Sequence, residues 1–122
     1  MSILPSIHHQ HYQKLKQAFE QLKQHVASTS PVQPNFLENF LQVQQFFQQQ
    51  VVNLNPELLN PDVESRLRSY QTEINKQLRL LNTDLTFLRA AKQAITFEQR
   101  QTQICDRLDI LINYCEVLLQ DN

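Results

Sequence analysis

Apolar residues recur along this chain at alternating three- and four-residue spacing, the period of one face of an α-helix. Four segments carry the pattern. The first runs from about Ile7 to Ala27, where Tyr12, Leu15, Phe19, Leu22 and Val26 form one narrow stripe among Gln, Lys and His. So narrow a stripe predicts a peripheral helix buried on one side. The cluster Ser28-Thr29-Ser30-Pro31 ends it. The second runs from about Phe36 to Leu54, with Phe36, Phe40, Val43, Phe47, Val51 and Leu54 as its main stripe. Asn35 with Glu38 reads as a capping box, and Asn53-Leu54-Asn55-Pro56 as the stop. Leu37, Leu41 and Val52 lie off that stripe, which predicts a second packing partner.

The third segment, about Pro61 to Lys92, is the longest. Asn60 suits the cap, Pro61 the first helical position, and Asp62 and Glu64 the positive end of the helix dipole. Val63, Leu67, Tyr70, Ile74, Leu78, Leu81, Leu85 and Leu88 make one stripe over roughly 45 Å, with Leu80, Phe87 and Ala91 flanking it. The stripes facing the core contain no Asp or Glu on this reading. The fourth runs from about Phe97 to Leu119, opened by a Thr96–Gln99 capping box. Ile104, Leu108, Leu111, Cys115 and Leu118 form its stripe, widened by Ile110, Tyr114 and Val117. Connections of about seven, six and four residues make successive helices antiparallel neighbours. The expected fold is all-α: one domain over residues 1–122, an antiparallel up-down-up-down four-helix bundle with a long third helix and crossing angles near +20°. Residues 1–6 and 120–122 are expected to be loose.

Composition narrows the chemistry. The 122 residues include no glycine, which removes the phosphate loops, nucleotide turns and nucleophile elbows that need it. Eleven Lys and Arg against twelve Asp and Glu leave a net charge of -1, with no basic excess for nucleic acid. No apolar run reaches the ~18 residues of a membrane span, and MSILPSIHH is too interrupted for a secretory signal. A soluble, intracellular chain is the expectation. Cys105 and Cys115 fall roughly 15 Å apart on one helix, too far to bridge, and read as structural thiols. His8, His9, His11 and His25 have no carboxylate or cysteine nearby in sequence to complete a zinc site, and read as a solvated terminus. No acid–base pair, nucleophile–base pair or Glu-x-x-His box stands out, so neither enzyme activity nor a cofactor is expected.

Two surfaces are left over. Arg68, Thr72, Asn75, Arg79, Asn82, Thr86 and Arg89, with Lys76 at the edge, line one polar face of the third helix; only Glu64 puts an acid there. Such a face suits an acidic peptide or a phosphate, and equally a plain solvated helix. The second surface is apolar: Leu80, Phe87, Ile110, Tyr114 and Val117, which suit either the bundle core or a homodimer or partner contact.

From about residue 40 to 119 the chain resembles a known family. FFQQQVVNL, SRLRSYQTEINKQLRLLNTDLTFLRAAKQ and RLDILINYCEVLL are similar to the cyanobacterial heterocyst-frequency control protein PatD family, most specifically from Ser65 to Gln93. The resemblance implies a small cytoplasmic regulator that limits how many cells of a filament become heterocysts. It also implies binding to the cell-division protein FtsZ and modulation of its assembly. It brings no binding residues of its own. Two readings compete with it. One is a generic helical oligomerisation or adaptor module. The other is a nucleic-acid-binding regulator built on Arg66, Arg68, Lys76, Arg79, Arg89 and Lys92, against which the missing aromatics count.

Overall fold

The computed structural model describes residues 4–27, 34–55 and 59–120, with the side chains of 34 and 35 outside that description. Helix α1 spans Ser6–Ala27, α2 Pro34–Phe46, α3 Pro61–Ala90 and α4 Ala94–Gln120; a π-helical turn, Phe47–Val51, continues α2. All regular structure among the described residues is helical, and the four helices form the expected bundle.

The ends of α3 follow the sequence. The Asn60 side chain accepts from the Val63 backbone N–H at 2.9 Å, with Pro61 in the first turn and Arg89 in the last. The helix stops at Ala90, two residues short of Lys92, where Ala91 turns extended and its N–H bonds the Leu88 carbonyl. Three other boundaries correct the sequence reading. Helix α4 begins at Ala94, so Thr96 lies inside its first turn rather than capping it. Helix α2 begins at Pro34, which places Asn35 within the helix; the Asn35 side chain, the 28–31 cluster and Pro56 lie outside the described residues. The α-helical ladder of α2 ends at Phe46, and the π turn closes with the Val52 N–H on the Phe47 carbonyl. Phe47 and Val51 stay buried through that turn, while Leu54 falls beyond it. At the amino terminus Leu4 is buried, and the helix already includes Ser6.

Packing is uneven. Helix α1 lays Tyr12, Leu15, Phe19, Leu22 and Val26 into the core, and α4 lays Ile104, Leu108, Leu111, Cys115 and Leu118 into it. The two helices form the main contact of the bundle. Helix α3 packs on α4, and α2 with its π turn packs on α1. Between α2 and α3 there is no comparable contact among the described residues. The helices therefore lie in the spatial order α2, α1, α4, α3, with a thinly closed seam between the first and last.

The α3–α4 seam holds a buried charge that the helical wheel missed. Asp84 is only 3% exposed. Its carboxylate accepts from the Arg107 Nε–H, and the Arg100 guanidinium stands 3.9 Å from its second oxygen. Arg107 also donates to Gln77 Oε1 at 3.3 Å. An ionised carboxylate at this depth is tolerable only with such partners. Asp84→Ala strands Arg107 at the seam, and urea unfolding should show a loss of about 3 kcal/mol. The double variant Asp84→Leu with Arg107→Met, which removes both charges, should recover most of that loss.

Candidate partner-binding surface

Helix α3 carries the predicted polar face on the edge turned away from α4. Arg68, Thr72, Lys76, Arg79, Asn82, Thr86 and Arg89 are exposed, and Asn75 is half-buried. Their hydrogen bonding divides them. Glu64 holds Arg68 in an i,i+4 ion pair at 2.7 Å. The Thr72 and Thr86 hydroxyls donate back to the carbonyls of Arg68 and Asn82, at 3.0 and 3.1 Å. Both threonines thus turn a methyl group and oxygen lone pairs outward, and are poorer donors than their type suggests. Lys76, Arg79 and Arg89 find no acidic partner among the described residues. They form the unneutralised part of the face.

That face borders the open seam. Phe47, Gln48 and Val52 on one side, with Arg68, Gln71, Thr72 and Asn75 on the other, enclose a groove of about 540 Å³. Phe47 gives it a buried apolar floor, and Val52 an exposed apolar lip. Gln71 is anchored by donating to the Tyr12 hydroxyl at 3.0 Å. The α2 side of the groove owes its shape to the π turn, which sequence spacing does not announce.

The apolar candidates divide as well. Leu80, Phe87 and Ile110 are 36, 49 and 39% exposed, whereas Tyr114 and Val117 are half-buried. Tyr114 packs edge-on against Tyr70 at 5.7 Å, and the Arg100 guanidinium covers the Phe87 ring at 4.6 Å. Leu80, Phe87 and Ile110 ride along the α3–α4 seam, above Asp84. The basic face and the apolar flank therefore occupy opposite edges of α3 and do not make one site. Ile95, 63% exposed at the start of α4, is a further apolar side chain that sequence periodicity did not single out.

The histidines do not form the solvated cluster expected of them. His8 is 1% exposed, with Nε2 3.2 Å from the Asn55 carbonyl oxygen. His11 stacks on Phe46 at 5.8 Å, its Nδ1 2.8 Å from the Ile7 carbonyl. Among the described residues no three His, Cys, Asp or Glu side chains converge as metal ligands, and no helix is long and apolar enough to cross a membrane.

No family model matches the chain, and no curated protein or solved structure matches it either. The resemblance to the PatD family rests on the residues quoted above.

Burial shapes two ionisable groups next to this end of the core. Desolvation pushes the Cys115 thiol up to about 12, and raises Tyr12 further despite the hydrogen bond from Gln71. Both folded-state values lie above the unfolded ones. Between them the unfolded chain sheds protons that the folded chain keeps, so stability falls as pH rises from about 9 toward 12. Circular dichroism at increasing pH should show unfolding in that window, and Cys115→Val should move its onset upward.

Proposed function

We propose that this chain is a non-enzymatic regulator that acts by binding another protein through the basic edge of α3. The observation that carries the reading is the segregation of charge. Acidic and basic residues nearly balance over the chain, and across most of the bundle they pair with one another. Lys16 meets Glu116 at 3.7 Å and Lys23 meets Asp109 at 2.5 Å, both across the α1–α4 seam. Lys76, Arg79 and Arg89 on α3 stand outside the ion pairs formed among the described residues. Such a row repels itself and attracts an acidic surface. It is too short, and too poor in aromatics, for a nucleic-acid groove.

The resemblance to the PatD family supplies the candidate partner. On that reading the chain works in the cytoplasm, binds FtsZ through an acidic segment of it, and tunes its assembly and so the frequency of heterocysts. The test is co-sedimentation with cyanobacterial FtsZ and GTP at low and moderate salt. The chain should pellet with the polymer, and its affinity should fall roughly tenfold between 50 and 300 mM salt. Arg79→Glu with Arg89→Glu should lose binding at low salt while remaining folded, since both side chains are exposed. A chain that stays in the supernatant at both salts sinks the proposal.

A second reading is favoured by the exposure of Leu80, Phe87 and Ile110. These residues suit a homodimer, or an apolar contact with the partner. Phe87→Asp should then weaken an association that salt does not affect, while leaving the circular dichroism spectrum unchanged. Light scattering and co-sedimentation of that variant separate the two surfaces.

A further inference from the structure

The outer face of the α3–α4 pair has no helix packed on it among the described residues, and it carries its own counter-charges. Arg107 reaches both Asp84 and Gln77, which sets it level with Leu80 on the antiparallel helix. Ile110, three residues farther along α4, therefore lies beside Leu80, and Phe87 lies about 10 Å beyond Leu80 in the other direction. All three are exposed, Phe87 by 49% even with the Arg100 guanidinium over its ring. Thr83 stands between Leu80 and Phe87. Its hydroxyl donates back to the Arg79 carbonyl at 3.3 Å, so it adds a methyl group to the strip rather than a free donor. Half-buried Glu73 and Tyr114 bound the strip past Ile110.

The two edges of this strip differ in sign. Lys76 sits one turn before Leu80 on α3, exposed and outside the ion pairs formed among the described residues. Asp106 sits one turn before Ile110 on α4 and is also exposed. It lies three residues before Asp109, whose pairing with Lys23 marks the side of α4 that faces α1. Lys76 thus lines the α3 edge, and Asp106 the α4 edge. A second copy turned by a two-fold axis running along the strip lays its α3 across this α4, and its α4 across this α3. The apolar strips then meet, and each Lys76 comes over the edge that bears the other copy's Asp106. An axis running across the strip instead stacks α3 on α3 and brings the two basic edges together. The area is modest. With one turn added at either end the strip covers about 25 Å by 20 Å, roughly 500 Å² on each copy, below the ~800 Å² of a standard interface. A weak, reversible dimer fits that footprint.

We infer that the α3–α4 face binds a second copy of this chain, with the apolar strip at the centre and Lys76 of each copy against the Asp106 edge of the other. This deepens the second reading, that of an apolar association surface, and rests on it. The strip supplies the affinity, since exposed opposite charges add little. The charges select the orientation, since like charges brought face to face are costly.

The test is sedimentation velocity in about 50 mM salt, at chain concentrations from about 1 to 300 μM. The wild-type chain should pass from monomer to dimer with a Kd of roughly 10–100 μM. Lys76→Glu alone and Asp106→Lys alone should each weaken the dimer roughly tenfold, because each puts two like-charge contacts into every dimer. Both side chains are exposed, so the circular dichroism spectra should not change. An equimolar mixture of the two variants should recover the wild-type affinity, because both contacts in the mixed dimer again join opposite charges. A wild-type chain that stays monomeric throughout overturns the inference together with the dimer reading beneath it. A dimer that Phe87→Asp breaks but the mixture does not restore keeps the apolar dimer and overturns the two-fold arrangement. A dimer indifferent to Phe87→Asp places the contact elsewhere and overturns both. The FtsZ co-sedimentation reports separately on the basic edge.

Discussion

The α1–α4 contact is the interaction on which the rest of this molecule depends. Each of the two helices contributes an unbroken apolar stripe, and every member of both is buried. Leu, Ile, Phe and Tyr side chains at this depth each stabilise the fold by roughly 1.5–3 kcal/mol. No other helix pair is joined so extensively. Helices α2 and α3 are added to the outer sides of this pair, one on each. A bundle assembled in this way has one weak side, where the two added helices meet. The groove lies there because no helix among the described residues packs across it.

The α3–α4 attachment shows how a polar interaction fixes what apolar stripes leave free. A stripe of leucines permits sliding by a turn, since one leucine resembles the next. Asp84 does not permit it. Its carboxylate has to meet Arg107, with Arg100 and Gln77 on either side. Tyr70 on Tyr114 marks the same register farther along the pair. The cost of burying charge is thus offset by specificity of alignment, which sets the height of Arg79 and Asn75 relative to the π turn across the seam.

Most of the helical architecture was legible in the chain because the period of apolar residues is a property of one helix at a time. The stripes of α1 and α4 were read residue by residue, and so was the Asn60 cap. What failed needed information from a second helix. Asp84 looked like surface because its partner Arg107 lies 23 residues away on α4. His8 looked solvated because the segment around Asn55 that covers it is distant in sequence. The Thr96–Gln99 pair is a sound capping signal, but the helix winds on past it to Ala94. The basic face was legible as a row of residues. Its border with a groove was not, since the groove arises where α2 with its π turn and α3 make little contact among the described residues. Nor was the inward bonding of Thr72 and Thr86, which depends on hydroxyl rotation rather than residue type.

The aromatic residues of the chain are also unevenly placed. It has three tyrosines and no tryptophan. Tyr12 is tied to Gln71 on the groove wall, and Tyr70, the residue before Gln71, leans on Tyr114 of α4. All three therefore gather at the end of the bundle that holds the groove, while the end bearing Phe87 and Ile95 has none. The natural emission of this protein is a local signal. It senses changes in packing beside the seam and is nearly blind to events at the other pole, so the molecule carries its own label next to its candidate site.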